Sequence, residues 1–187
     1  MKTLITYKSK YGSSKQYAQW LGEELNCDVK DLSEIKKSDL ADYDLIIHGG
    51  GLYAGSLAGL GFYKKNITYL QENNKKLITF ATGASPYGKK VLYEVMEHNF
   101  KGTMKDVQFF YCEGNYNYPI MTPLHKVMMK MMNKMLTKQI KTAENQGKTP
   151  DPMDVEFHSL LFSHFEKADK KWCKQIVDYV NKLTENC

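Results

Sequence analysis

A doubly wound α/β fold on a five-stranded parallel sheet is predicted by three observations. Short apolar runs alternate with helix-periodic segments along most of the chain. Runs such as Leu45-Ile46-Ile47 read as strands buried on both faces, as helices on either side of a parallel sheet require. The length of 187 residues and an apolar share of 42% suit one domain spanning 1–187 with a substantial core.

The elements follow in order. Lys2–Tyr7 is the first strand, carrying Leu4 and Ile5, and Gln16–Leu25 the first helix, with Tyr17, Ala18, Trp20, Leu21 and Leu25 at helical spacing. Cys27–Leu32 is a short second strand; Asp44–His48 is the third, ending in Gly49-Gly50-Gly51. Gly61–Gln71 is a helix, Lys76–Ala81 the fourth strand, Lys89–His98 a helix and Val107–Cys112 the fifth strand. Thr122-Pro123 starts a long helix, with a capping hydroxyl and a proline at the first helical position, running to about Asn145. Residues 146–152 read as a loop and His164–Leu183 as the closing helix, so 121–152 is a helical insertion and loop before that last element.

The most informative loop is Ser9, Lys10, Tyr11, Gly12, Ser13 and Ser14, between the first strand and the first helix. Helix N-termini expose N–H groups with a partial positive charge, and nearby hydroxyls add donors, so the loop reads as a cradle for a phosphate held without metal. The plainer alternative is that Gly12 only turns the chain and Ser13 or Ser14 caps the helix. The absence of Gly-Lys-Ser/Thr and of Gly-x-Gly-x-x-Gly points to a monophosphate rather than a nucleoside triphosphate or a dinucleotide. In doubly wound sheets ligands collect beyond the strand carboxyl ends, where Gly49–Ser56 and Thr82–Gly88 also fall. Glycine lets backbone approach a flat ring, and Tyr53 and Tyr87 are placed to lie against one or to cap packing.

These three loops resemble those of the flavodoxin family, whose cofactor is FMN. The resemblance covers roughly residues 1–118 and implies a flavodoxin-like sheet in the order 2-1-3-4-5. It implies that Ser9, Lys10, Tyr11, Gly12, Ser13 and Ser14 hold the phosphate, with Tyr11 where threonine is common. It further implies that Gly50, Gly51, Leu52, Tyr53, Ala54 and Gly55 form the turn beside the flavin ring, and Thr82, Gly83, Ala84, Ser85 and Pro86 its other wall. Glycine peptides near Gly50–Gly55 then reorient when the flavin gains a proton, while Tyr53 tunes the ring.

Beyond residue 118, Tyr118-Pro119 and the segment Leu124–Met135 are similar to menaquinone-dependent protoporphyrinogen oxidases, a flavodoxin-like group. That group is rich in arginine there, whereas this chain carries Tyr53, Asn115, Asn117 and lysines. Two function classes stay open: an FMN electron carrier serving a partner oxidoreductase, favoured by the missing arginines, and an oxidase with a tetrapyrrole substrate and quinone acceptor, favoured by the inserted helix. A response-regulator domain on the same topology is excluded, because Lys8 and His48 stand where acidic residues are needed.

Charge bounds the partners. All 26 basic residues are lysine and the net charge is +5, so planar bidentate grips on carboxylates or phosphates are absent and recognition leans on backbone and hydroxyl groups. Lysines are spread without a nucleic-acid module, so no nucleic-acid partner is expected. Lys126, Lys130, Lys134 and Lys138 recur every fourth residue beside a methionine-rich face, which suits docking on an anionic membrane surface or an acidic partner; alternatively the methionines pack inward and the lysines are only solvated. No apolar run reaches the ~20 residues of a membrane span and no secretory leader opens the chain, so a cytoplasmic protein is expected, peripheral to the membrane's inner face if that helix docks. Cys27, Cys112, Cys173 and Cys187 lack Cys-x-x-Cys spacing and read as reduced, mostly buried thiols; the five histidines lack ligand spacing, so no metal is assigned.

Overall fold

The computed structural model describes residues 1–185. Its first half runs β1 (Thr3–Lys8), α1 (Ser13–Leu25), β2 (Asp28–Asp31), β3 (Leu45–Tyr53), β4 (Ser56–Leu57), α2 (Leu60–Glu72), β5 (Lys76–Gly83), α3 (Lys89–Asn99) and β6 (Gln108–Glu113). The parallel strands lie in the order β2-β1-β3-β5-β6, the flavodoxin-like order foreseen once the two-residue β4, antiparallel to the end of β3, takes its own number. The order reverses between β1 and β3, which opens a crevice at their carboxyl ends.

Successive residues of a strand face opposite layers, and both layers are apolar. On one face Leu4, Ile46, Ala81 and Tyr111 pack with Tyr63 and Leu70 of α2 and Val91 and Val95 of α3. On the other, Ile5, Ile47, Phe80 and Cys112 pack with Tyr17 and Leu21 of α1 and with Ile176 and Val180 of the last helix. Each fully buried Leu or Ile contributes about 2 kcal/mol. The edge strand β2, exposed on alternate residues, needs no such run.

The second half continues with β7 (Tyr116–Asn117), α4 (Pro123–Asn145), α5 (Pro152–Leu160), β8 (His164–Phe165) and α6 (Lys171–Glu185). Two expectations are corrected here. The closing helix does not begin at His164: His164 and Phe165 pair antiparallel with Asn117 and Tyr116, and Phe165 stacks on Tyr116 at 5.1 Å. The N–H groups of Lys167 and Ala168 are donated to the Asn115 Oδ1, and Asp169 Oδ1 accepts the Lys171 N–H, so the helix starts only after these groups are satisfied. The stretch after residue 146 is also shorter as a loop than its composition suggests, because Asp151 accepts the Met153 N–H and Pro152 starts α5. Lys90 of α3 bridges Asp151 and Asp154 at 2.9 and 2.8 Å, a pair of exposed contacts worth ~1 kcal/mol or less.

Cys112 and Cys173 are buried and Cys27 half-buried, all as free thiols; Cys187 lies outside the described residues. Burial pushes the Cys27 thiol up to about 11 and Cys173 to about 12, which holds both protonated and unreactive near neutral pH. Among the described residues no helix is long and apolar enough to cross a membrane.

Candidate functional site

The loop after β1 ends in Gly12, whose φ of +99° starts α1 with no side-chain cap. The first intrahelical bond runs from the Gln16 N–H to the Gly12 carbonyl, 2.9 Å, so the N–H groups of Ser13, Ser14 and Lys15 precede the hydrogen-bonded ladder. The hydroxyls brace the loop instead of capping it. Ser9 Oγ accepts the Gly12 N–H at 3.1 Å, Ser13 Oγ accepts the Asn115 N–H at 3.0 Å, and Ser14 Oγ bonds Thr82 Oγ1 at 2.7 Å. Ser13 and Ser14 are buried, so of the three expected hydroxyl donors only the half-buried Ser9 remains open to a ligand. Its proton is free because its oxygen is used as an acceptor.

The second loop is shorter than expected. Gly49, Gly50 and Gly51 belong to β3, paired with Tyr7 and Lys8 of β1 and with Phe80, Ala81 and Thr82 of β5. Gly50 is there for space: a Cβ on it would lie 2.3 Å from the Ala58 carbonyl oxygen. Gly50 and Gly51 are therefore held in a ladder and not free to reorient. The turn is confined to Ala54 and Gly55, with φ of +50° and +78°, the two positive values of a type I′ hairpin joining β3 to β4. An alanine in this conformation costs about 1 kcal/mol.

Asn99, at the end of α3 and buried, holds this hairpin. Its Oδ1 accepts the Leu57 N–H at 2.9 Å and its Nδ2 donates to the carbonyls of Gly55 (2.7 Å) and Val95 (2.9 Å). Asn99→Ala is expected to destabilise the fold by about 2 kcal/mol, since it leaves a buried N–H and carbonyl without partners; a urea melt checks it. An unchanged midpoint would mean that the hairpin is held elsewhere.

Over the mouth of the crevice sits an aromatic cluster. Tyr53 Oη accepts the Lys10 N–H at 3.3 Å, and its ring stacks on His125 of α4 with centroids 5.3 Å apart and planes 29° apart. Tyr11 approaches both rings edge-on, and its hydroxyl lies 2.7 Å from His125 Nδ1. Burial and the Lys10 charge lower the His125 pKa, which favours the neutral ring. Sequence reasoning missed His125, because no local signal ties residue 125 to residues 11 and 53. It missed Asn99 for the same reason.

The third loop joins the first through the Ser14–Thr82 bond. Gly83 ends β5 and its carbonyl accepts the Gly114 N–H at 2.7 Å; Tyr111 Oη donates to the Ser85 carbonyl, which holds the turn through Ala84 and Pro86. Tyr87 is not at the crevice. Its N–H goes to Glu113 and its ring lies on Trp172 of α6, 5.1 Å between centroids.

Beneath the hairpin, His48 is sealed from solvent. Its Nε2–H donates to the Ala58 carbonyl (2.9 Å), and its Nδ1 accepts from Thr6 Oγ1 (3.0 Å), which takes the Tyr63 hydroxyl proton (2.6 Å). Burial pushes its pKa down to about 4, so it is a neutral structural group and not a proton donor to the crevice.

The three loops foreseen as one site thus meet at the carboxyl ends of β1, β3 and β5, tied by Lys10–Tyr53 and Ser14–Thr82. They present an uncapped helix N-terminus beside a sheltered aromatic face, which can hold an anion at one end and a flat ring near the other.

A family profile described as a flavodoxin domain matches residues 4–143, reaching through most of α4 and past the resemblance over 1–118. An uncharacterized protein of Methanocaldococcus jannaschii is 29% identical over 122 residues, 64% of this chain and 80% of that protein. Among solved structures, oxidised flavodoxin 1 from Bacillus cereus is 17% identical, with 86% of this chain and 97% of that chain covered and a TM-score of 0.40. A flavoprotein in complex with FMN from Lactobacillus acidophilus is 18% identical, with 60% and 91% covered and a TM-score of 0.40.

Proposed function

Since the chain belongs to the flavodoxin domain family, we propose that it binds FMN at the carboxyl ends of β1, β3 and β5 and passes electrons to a partner oxidoreductase. The observation that carries this reading is the uncapped N-terminus of α1 hydrogen-bonded to both other loops. The residues fit the group. The N–H groups of Ser13, Ser14 and Lys15 with the Ser9 hydroxyl would hold the phosphate, which explains how a chain without arginine can bind it. A Cβ on Gly12 would meet nothing within 4 Å, so the approach to these donors is open.

FMN, when bound, supplies the redox chemistry. The protein's part is orientation and shelter. Tyr53, Tyr11 and His125 offer apolar ring faces that exclude water beside the hairpin, and Asn99 fixes the Gly55 carbonyl in position. The lowered pKa of His125 works against positive charge there.

The test is direct. Adding FMN to the purified protein is expected to quench flavin fluorescence and leave the protein yellow; a colourless protein with no quenching overturns the reading. Ser9→Ala, which removes one hydrogen bond to a charged group, is expected to weaken FMN binding about tenfold while riboflavin binding stays unchanged. Equal losses for both ligands would move the phosphate elsewhere. Anaerobically reduced protein mixed with cell extract or with a purified oxidoreductase is expected to reoxidise through that protein. Turnover of protoporphyrinogen with a quinone would replace the carrier reading by the oxidase one.

A further inference from the structure

Helix α4 concentrates the charge of the molecule. It carries five lysines against a single acid, Glu144, so four of the five net positive charges of the chain lie on this one helix. Among the described residues Lys130, Lys134, Lys138 and Lys141 are exposed and form no ion pair. Beside them runs an apolar edge that the fold leaves in water: Leu124 is 68% exposed, Met131 66%, and Val127 and Met135 lie on the same side. Ile120, just before the helix, is 63% exposed and extends it. The inner side holds the buried Leu136 and His125 against Tyr53, while Thr137, bonded to His158 of α5, lies beside the lysines. The methionine face foreseen from spacing is therefore split, with Met128, Met129 and Met132 half-buried and Met131 and Met135 exposed.

We propose that the outer side of α4 docks on an anionic lipid bilayer, lying in the interface with its apolar edge among the acyl chains and its lysines at the headgroups. The apolar edge extends about 17 Å from Leu124 to Met135 at the helical rise, along an exposed side of the helix. Such an edge suits a deformable surface that closes around it. An acidic protein would need a matching trough and would be gripped better by the guanidinium forks this chain lacks. Lysines are flexible point charges that follow a smeared anionic surface while their stems cover apolar area. Docking would hold the Tyr53–His125 contact within about one helix diameter, ~10 Å, of the bilayer, since His125 follows Leu124 on the same helix and points to a different side of it. This inference goes beyond the FMN reading and does not depend on it.

The test is vesicle flotation of the full chain without added flavin. With an equal mixture of phosphatidylglycerol and phosphatidylcholine the protein is expected to float and to be released by salt; with phosphatidylcholine alone it stays behind. Lys130→Gln with Lys134→Gln is expected to weaken binding about thirtyfold, at about 1 kcal/mol for each lysine near an anionic surface. Leu124→Ser with Met131→Ser is expected to weaken it at least about tenfold at unchanged charge. Lys64→Gln with Lys65→Gln on α2, the same loss of charge away from α4, leaves it unchanged. All these positions are surface residues, and circular dichroism melts verify that the variants are folded. Equal binding to neutral vesicles overturns the proposal, and so does an equal loss in the α2 variant. Indifference to the serine substitutions with tight binding to polyglutamate also overturns it, in favour of an acidic protein partner.

Discussion

Gly50→Ala is expected to be the most damaging single substitution near the site, lowering stability by about 3 kcal/mol or more and the thermal midpoint by roughly 10 °C. The added methyl would stand 2.3 Å from the Ala58 carbonyl oxygen and 2.8 Å from Leu57 Cδ1. A side-chain tip can move aside; the Ala58 carbonyl cannot easily, because it receives the His48 Nε2–H and its own N–H is donated to the Gly51 carbonyl. Relief therefore requires the β3–β4 hairpin to separate from the sheet. Gly12→Ala is the contrast, since its Cβ meets nothing and it bears only the cost of a positive φ, about 1–2 kcal/mol. A calorimetric comparison in which Gly50→Ala melts no lower than Gly12→Ala would show that the hairpin yields where the geometry says it does not.

The second large effect is a pH dependence carried by His48. Its folded pKa is about 4 against 6.5 for the free side chain, so the unfolded chain binds a proton that the folded one refuses. The contribution to stability is thus fully present above about pH 6.5 and is lost as pH falls from there toward about 4, a loss of about 3 kcal/mol in all. Below that window both states are protonated and the slope from this group ends. Asp31, Asp39, Asp151 and Asp169 have lowered pKa values, so their losses come at lower pH and separate from it. Urea melts at about pH 7 and about pH 4.5 measure the difference. In His48→Phe the slope between them should fall to the remainder carried by His125, whose pKa is lowered too, although stability near neutrality falls because Thr6 and the Ala58 carbonyl lose their partner. A slope undiminished by the substitution would assign the proton to another group.

The fold and the first loop were legible because their signals are local. Leu4-Ile5 and Leu45-Ile46-Ile47 announce strands without reference to anything distant, and Ser9–Ser14 sits where a strand gives way to a helix. What stayed hidden depends on contacts between residues far apart in the chain. Gly49–Gly51 look like a loop by composition, yet flanking strands on both sides hold them extended. His164 looks helical until Asn115, some fifty positions earlier, takes the N–H groups of Lys167 and Ala168. Tyr87, a reasonable wall for the crevice, faces Trp172 instead. The start of α5 is different: Asp151-Pro152 repeats the signal of Thr122-Pro123 and was readable, but the neighbouring Gly147 and Pro150 outweighed it.

The small β7–β8 ribbon has a consequence for how the chain can vary. Asn117 and His164 face each other across it, and the Tyr118 N–H reaches the Ser163 carbonyl, so residues 118–163 leave and re-enter the structure at a single point. A detour whose ends are clasped can grow or shrink cheaply, because each doubling of its length adds only about 0.6 kcal/mol of closure entropy. The parallel sheet need not register such a change, since α6 resumes on the same face wherever the detour ends. The exposed helix and the crevice at the sheet's carboxyl edge can therefore be remodelled on separate schedules, with His125 on Tyr53 and the Thr122 N–H on Tyr11 as their points of touch.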